Sequence, residues 1–172
     1  MNEVLKSLKE RRSCRSYKPD MVPQEILDQI LEAGTYAPTG MGKQSPIIIA
    51  VTDKETRDKL SRLNAAVMGA FNDPFYGAPV VLVVLANTAV GTYKYDGSLV
   101  MGNLLNAAHA LGLGSCWIHR AKEEFESEEG KEILKSLGIE GDWEGIGNCI
   151  LGYPAADPNP AVPRKADYIY KI

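Results

Sequence analysis

Three guanidinium groups and one hydroxyl stand close together in Arg11-Arg12-Ser13-Cys14-Arg15. Guanidinium forks pair bidentately with phosphate oxygens, and such charge-assisted bonds are about twice as strong as neutral ones. The cluster reads either as a site for a small anion or as a solvated helix end. A second basic pair, Arg164-Lys165, lies in a proline-rich tail near the other end of the chain. The two readings separate on whether these clusters converge on one anion.

Other chemistries lack their residues. There is no H-E-x-x-H, and neither His109 nor His119 has a partner at metal-ligand spacing. No G-x-S-x-G nucleophile elbow is present, and Gly112–Trp117 lacks the third glycine of a dinucleotide fingerprint. Gly42-Lys43 matches one step of a phosphate loop. However, Ala37 replaces its leading glycine, Gln44 replaces its magnesium-binding hydroxyl, and the segment follows a helix instead of a strand. Cys116 and His119 offer a thiolate activated by an imidazole, but on a strand i and i+3 point to opposite faces.

A chain of 172 residues, 45% hydrophobic and 24% charged, has the size and balance of one globular domain with a real core. A net charge of −3 argues against general nucleic-acid or membrane binding. The apolar runs Pro46–Thr52 and Ala78–Asn87 are far shorter than a spanning helix. The opening residues carry charge where a signal peptide needs an apolar stretch. Cys14, Cys116 and Cys149 form no C-x-x-C pair, so they read as reduced thiols in a cytoplasmic protein.

The elements that must position these residues follow from periodicity and punctuation. Val4, Leu5 and Leu8 predict a short amphipathic helix over Asn2–Glu10, which stops at the polar turn Arg11–Asp20. Pro23 opens a second helix with Ile26, Leu27, Ile30 and Leu31 on one face and Gly34 as its stop. A Gly- and Pro-rich loop, Ala37–Pro46, leads to a strand at Ile47–Val51 expected to be buried on both faces. Asp53 caps a helix to about Met68 with Leu60, Leu63 and Val67 inward. A turn, Asp73–Pro79, precedes a fully buried strand, Val80–Leu85. Asp96 is expected to cap a helix running to Leu111, apolar nearly all round and therefore covered in part by a second subunit. Strands at Gly114–His119 and Gly145–Leu151 flank a surface helix over Ser127–Leu137. The tail after Tyr153 ends in a strand-like Tyr168-Ile169-Tyr170. These elements make one α+β domain over residues 1–172, with a C-terminal arm able to reach a neighbour.

Arg11-Arg12-Ser13-Cys14-Arg15-Ser16-Tyr17 after a short helix resembles the opening motif of the FMN-dependent nitroreductase family. Ala37-Pro38-Thr39-Gly40 with Gln44 resembles that family's A-P-S-x-x-N-x-Q-P-W segment. Leu111-Gly112-Leu113-Gly114-Ser115-Cys116-Trp117-Ile118 is similar to its G-L-G-T/S-C-W-I stretch. Leu151-Gly152-Tyr153-Pro154, followed by Pro163-Arg164-Lys165, matches its C-terminal end. Four motifs in order and spacing span essentially the whole chain. Gly42 and Ser45-Pro46 depart from the pattern, standing where the family has Asn and Pro-Trp.

The resemblance implies a three-layer fold: a mainly antiparallel sheet of four to five strands wrapped by helices, with a C-terminal strand exchanged in a homodimer. FMN would lie at the subunit interface. By position, Arg11, Arg12 and Ser13 would hold its phosphate or ribityl chain, and Arg164 or Lys165 would complete the clamp. Arg15 would sit beside the pyrimidine edge, where a cation stabilises reduced flavin. Pro38, Thr39, Gly40 and Gln44 would line the ring across the dimer, and Cys116, Trp117 and Ile118 would support it from the other side. Asn64 is a further candidate contact, weighed against a solvated helix face. Tyr36, Phe75 and Tyr76 are candidate walls of an acceptor pocket, weighed against plain packing.

The implied activity is hydride transfer from NADH or NADPH through flavin N5 to a nitroaromatic, quinone or similar acceptor in a ping-pong cycle. The alternatives are a non-catalytic flavin store or sensor and a related flavin enzyme with a different reaction.

Overall fold

The computed structural model describes all residues, Met1–Ile172. Its centre is a sheet of four strands: β1 (Pro46–Val51), β2 (Val80–Asn87), β3 (Gly114–Ile118) and β4 (Trp143–Gly152). They run in the order β1-β2-β4-β3, every neighbouring pair antiparallel. β2 is an unbroken apolar run through Ala86 and is buried on both faces, as its composition predicts. β1 has the same β-branched composition but is only half-buried: it is an edge strand whose outer side no segment bridges, whereas β3, the opposite edge, is bridged by Ser13 and is buried. The expectation of two buried faces therefore fails there.

Six helices cover the sheet: α1 (Glu3–Glu10), α2 (Gln24–Thr35), α3 (Lys54–Val67), α4 (Tyr93–Ala110), α5 (Ala121–Glu126) and α6 (Glu128–Ser136). Alternation along the strands sends successive side chains to opposite faces. Leu82, Val84, Cys149 and Leu151 meet Leu27, Ile30, Met101 and Leu104 on one face. Val81, Val83, Leu85 and Ile150 meet Leu60, Phe75 and Phe125 on the other. Phe75 is fully buried there, so it is a core residue and not a pocket wall. The turn carrying it is held by Arg57, whose Nε donates to the Ala78 carbonyl at 2.9 Å and whose Nη2 donates to Asp73 at 2.6 Å.

Several boundaries differ from expectation for identifiable reasons. Asn2 and Asp53 cap α1 and α3 through their side chains. α4 begins at Tyr93, earlier than expected, which turns Asp96 from a cap into a buried residue of the first turns. Gly34 lies inside α2; a Cβ there would come within 2.7 Å of Leu104 and 2.9 Å of Ile48, so it marks a close helix crossing and not a stop. Val67, expected inward, is the last residue of α3 and is exposed. The short helix α5 lacks the length for a periodic signal and was not expected. Tyr168, Ile169 and Tyr170 are exposed and form no strand within the chain.

Candidate cofactor-binding site

The basic turn is a strap across one end of the sheet. Ser13 forms a parallel bridge with Ser115, and the Cys14 amide donates to the Ser115 carbonyl at 2.9 Å. Farther along, Tyr17 bridges Pro154, and the Lys18 amide donates to the Tyr153 carbonyl at 2.8 Å. The turn is thus tied to the first residues of β3 and to the chain leaving β4, which fixes its height above the sheet edge.

Arg11, Arg12, Ser13 and Arg15 line a cleft of about 780 Å³, and the opposite wall is Asn159–Arg164 of the tail. The two basic clusters do converge, through Arg164. Arg11 is partly buried, and its Nη1 is shielded from water with no hydrogen-bond partner. A buried guanidinium N–H without an acceptor is costly, and because Arg11 lines the cleft, an anion drawn in against this side chain is the kind of group that would satisfy it. Arg12 is committed differently: its Nη1 donates at 2.7 Å to the carbonyls of Lys9 and Arg11, closing the C-terminal end of α1. Arg15 is exposed, and the Arg164 guanidinium is folded onto the Val162 carbonyl. Lys165 is not in the cleft wall; its Nζ lies 5.6 Å from the centre of the Tyr168 ring.

The remaining expected residues lie elsewhere within the chain. Pro38, Thr39 and Gly40 belong to a loop held by Asp96, which accepts from the Gly40 amide at 2.9 Å, Ser45 Oγ at 2.6 Å and Thr92 Oγ1 at 2.9 Å. Burial pushes the Asp96 carboxyl upward, but these bonds outweigh it and hold the group below the usual carboxylate range. Gln44 is exposed in a left-handed conformation, its amide donating to Thr39 Oγ1 at 3.1 Å. Asp96→Ala removes three bonds at once and should destabilise the fold by about 2–4 kcal/mol, read by urea denaturation. The Gly40 amide should exchange hydrogen faster in that variant, and unchanged exchange would show that Asp96 does not anchor the loop.

Cys116 and Ile118 are buried and Trp117 half-buried along β3. At a rise of about 3.3 Å per residue, the end of β3 lies roughly 10 Å beyond the Ser13–Ser115 bridge. Asn64, weighed as a cofactor contact or a solvated residue, is neither within this chain. It is fully buried, and its amide is engaged with Glu124, the His119 carbonyl and Arg120. The thiolate–imidazole alternative also fails. Cys116 is buried with Sγ near the Trp117 carbonyl, whereas His119 is exposed. Burial pushes the neighbouring Cys149 thiol up to about 12, with Cys116 adding to the rise and Arg11 opposing it.

Lys9 and the tail residues Asn159–Val162 also line the cleft, and no motif in the sequence marks them. No residue type there signals a site; only the fold brings the proline-rich tail back over α1.

Residues 8–74 and 66–153 match the Nitroreductase family. The FMN reductase [NAD(P)H] of Bacillus subtilis (strain 168) is 31% identical over 96% of this chain and 72% of that protein. A nitroreductase with bound FMN from Bacteroides fragilis NCTC 9343 is 30% identical, with a TM-score of 0.87 over all of both chains. A nitroreductase with bound FMN from Desulfitobacterium hafniense DCB-2 is 29% identical, with a TM-score of 0.89 over the same full coverage. On this family match and these likenesses over nearly the whole chain, the chain belongs to the nitroreductase family.

Proposed function

We propose that the protein is an FMN-dependent, NAD(P)H-oxidising flavoenzyme that works as a homodimer. The observation that carries this reading is the cleft in which Arg11, Arg12, Ser13, Arg15 and Arg164 gather from both ends of the chain, with Arg11 Nη1 buried and unpaired. A phosphate is the ligand that such a cluster suits.

Bound FMN would supply the redox chemistry, taking hydride from NADH or NADPH and passing electrons to a nitroaromatic, quinone or similar acceptor in alternate visits. The protein's part is binding, orientation and charge. Arg11 and Arg164 hold the phosphate, with Arg12 keeping α1 closed behind it. Arg15, exposed at the cleft wall, offers a cation to the negative charge that accumulates on reduction. No side chain is required as acid or base, and the thiols of Cys116 and Cys149 are both buried. The three unpaired cysteines fit a cytoplasmic setting.

The dimer is supported by apolar surface that one chain leaves uncovered. Val4, Leu5 and Leu8 on α1 are 65%, 53% and 52% exposed, and Leu99 on α4 is 47% exposed. The half-buried edge of β1 and the exposed Tyr168-Ile169-Tyr170 are complementary, since an edge strand can accept a fifth strand from a partner. In the dimer, the loop Pro38–Gly40 of one chain would complete the other's site.

The test is an anaerobic absorbance spectrum of purified protein supplied with FMN, before and after NADH or NADPH. The reading predicts flavin bands that bleach with at least one reductant and return on adding a quinone. Bands that persist with both reductants would instead favour flavin storage.

A further inference from the structure

β3 ends in a conformation that needs holding. Arg120, directly after His119, has φ of +75°, a left-handed value that a long side chain rarely adopts. Beneath this turn lies a buried polar cluster. Asn64 Nδ2 donates to the His119 carbonyl at 2.7 Å and to Glu124 Oε1, while Arg120 Nε donates to Asn64 Oδ1 at 2.9 Å. From β4, Asn148 Nδ2 donates to both Glu124 oxygens, at 2.9 and 3.2 Å. Glu124, Asn64 and Asn148 are all fully buried.

We propose that Glu124 is a positioning residue for the cofactor cradle, locking the His119–Arg120 turn at the end of β3 through Asn64 and Asn148, and that it does so carrying a proton. The inference rests on the flavin reading above, because it is the end of β3 that would support the ring.

Burial without a bonded cation argues for the proton, and it outweighs the amide N–H bonds from Asn64 and Asn148, which favour the ionised form. Both groups bonded to the carboxyl are neutral amides, and the nearest cation, Arg120, spends its Nε on Asn64. A fully buried carboxylate without a bonded cation is expensive. Asn148 can present either amide atom to the carboxyl, Nδ2 when it accepts and Oδ1 when it donates. Its outer atom, Oδ1, is buried with no partner, so no second bond opposes the turn-over.

The charged surroundings are sparse on every side. Arg120 in the turn favours ionisation, and Glu123 on α5 opposes it. α3 and β4 face the carboxyl with the neutral amides of Asn64 and Asn148, and β2 carries no titratable residue. α6 brings Gly130 against the Glu124 carbonyl, while its Glu129 is paired at the surface with Arg62. Burial dominates and pushes the Glu124 carboxyl up to about 8.

Ionisation above that value leaves Arg120 as the available counter-charge. Drawing its guanidinium from Asn64 to the carboxylate unseats the turn. The unfolded chain ionises Glu124 near 4.5, so its contribution to stability falls as pH rises from there to about 8, then levels.

The test compares wild type with Glu124→Gln, which keeps the size and the amide contacts without the proton. FMN affinity, measured by fluorescence quenching from pH 7 to 9.5, should fall about tenfold or more in wild type. In Glu124→Gln it should stay within about threefold. The thermal midpoint of the flavin-free variant should gain on wild type by several degrees between pH 5 and 8. A parallel decline of affinity in both proteins, with parallel midpoints, would overturn this inference alone. Failure of wild type to bind FMN at pH 7 would overturn the flavin reading, and this inference with it.

Discussion

Arg11→Glu is expected to weaken FMN binding by about 3–5 kcal/mol, roughly two to four orders of magnitude in Kd. The change removes a partly buried guanidinium whose Nη1 has no other partner, and it sets a carboxylate against the phosphate. Arg15→Ala should cost far less, because that side chain is exposed and solvent already screens it. Affinity of the wild type should fall as salt rises, and Arg11→Glu should flatten that dependence. Fluorescence titration at two ionic strengths reads both effects. If Arg11→Glu bound FMN as wild type does while remaining folded, the anion would lie elsewhere.

The second large effect is structural. In β4, Gly145 pairs with Leu85 beside an irregularity in register, and the first turn of α5 rests directly on it. A Cβ at Gly145 would come within 2.2 Å of the Ala121 carbonyl oxygen and 2.7 Å of the Lys122 nitrogen. Those contacts are backbone, so no flexible side chain can yield. Gly145→Ala should therefore displace α5 and destabilise the protein by about 3 kcal/mol or more. Urea denaturation measures the loss, and Gly102→Ala on α4, where a Cβ meets nothing within 4 Å, serves as the control. Equal stabilities would mean that α5 does not bear on β4 as described.

Much of the fold is legible because local rules and burial agree. Asn2, Asp53 and Ser127 cap their helices as their residue types suggest, and β2 is buried along the run that its composition marks. β1 shows the limit of that reasoning. Ile47-Ile48-Ile49 resembles the β2 sequence, yet strand order makes it an edge, and order is a property of the whole chain. Asp96 misleads for a related reason. Its type signals a cap, but α4 starts earlier and the carboxylate is used to pin a distant loop.

The site divides in the same way. Arg11, Arg12, Ser13 and Arg15 are conspicuous because four polar groups crowd one turn, and Arg164 joins them only once the tail folds back. Lys165, adjacent and equally basic, faces Tyr168 instead, a difference that residue type does not encode. Glu124 is hidden among the acids of Glu123–Glu129, and nothing in its identity separates the one buried carboxyl from its exposed neighbours. Asn64 is similar: a lone amide on a helix declares its role only when the partners from α5 and β4 arrive.

The measurement that bears most directly on the proposed cleft is a paired titration of flavin-free protein with FMN and with riboflavin, which lacks the phosphate. If guanidinium groups from both ends of the chain hold that phosphate, riboflavin should bind at least about 100-fold more weakly. Affinities within about threefold of each other would contradict the account.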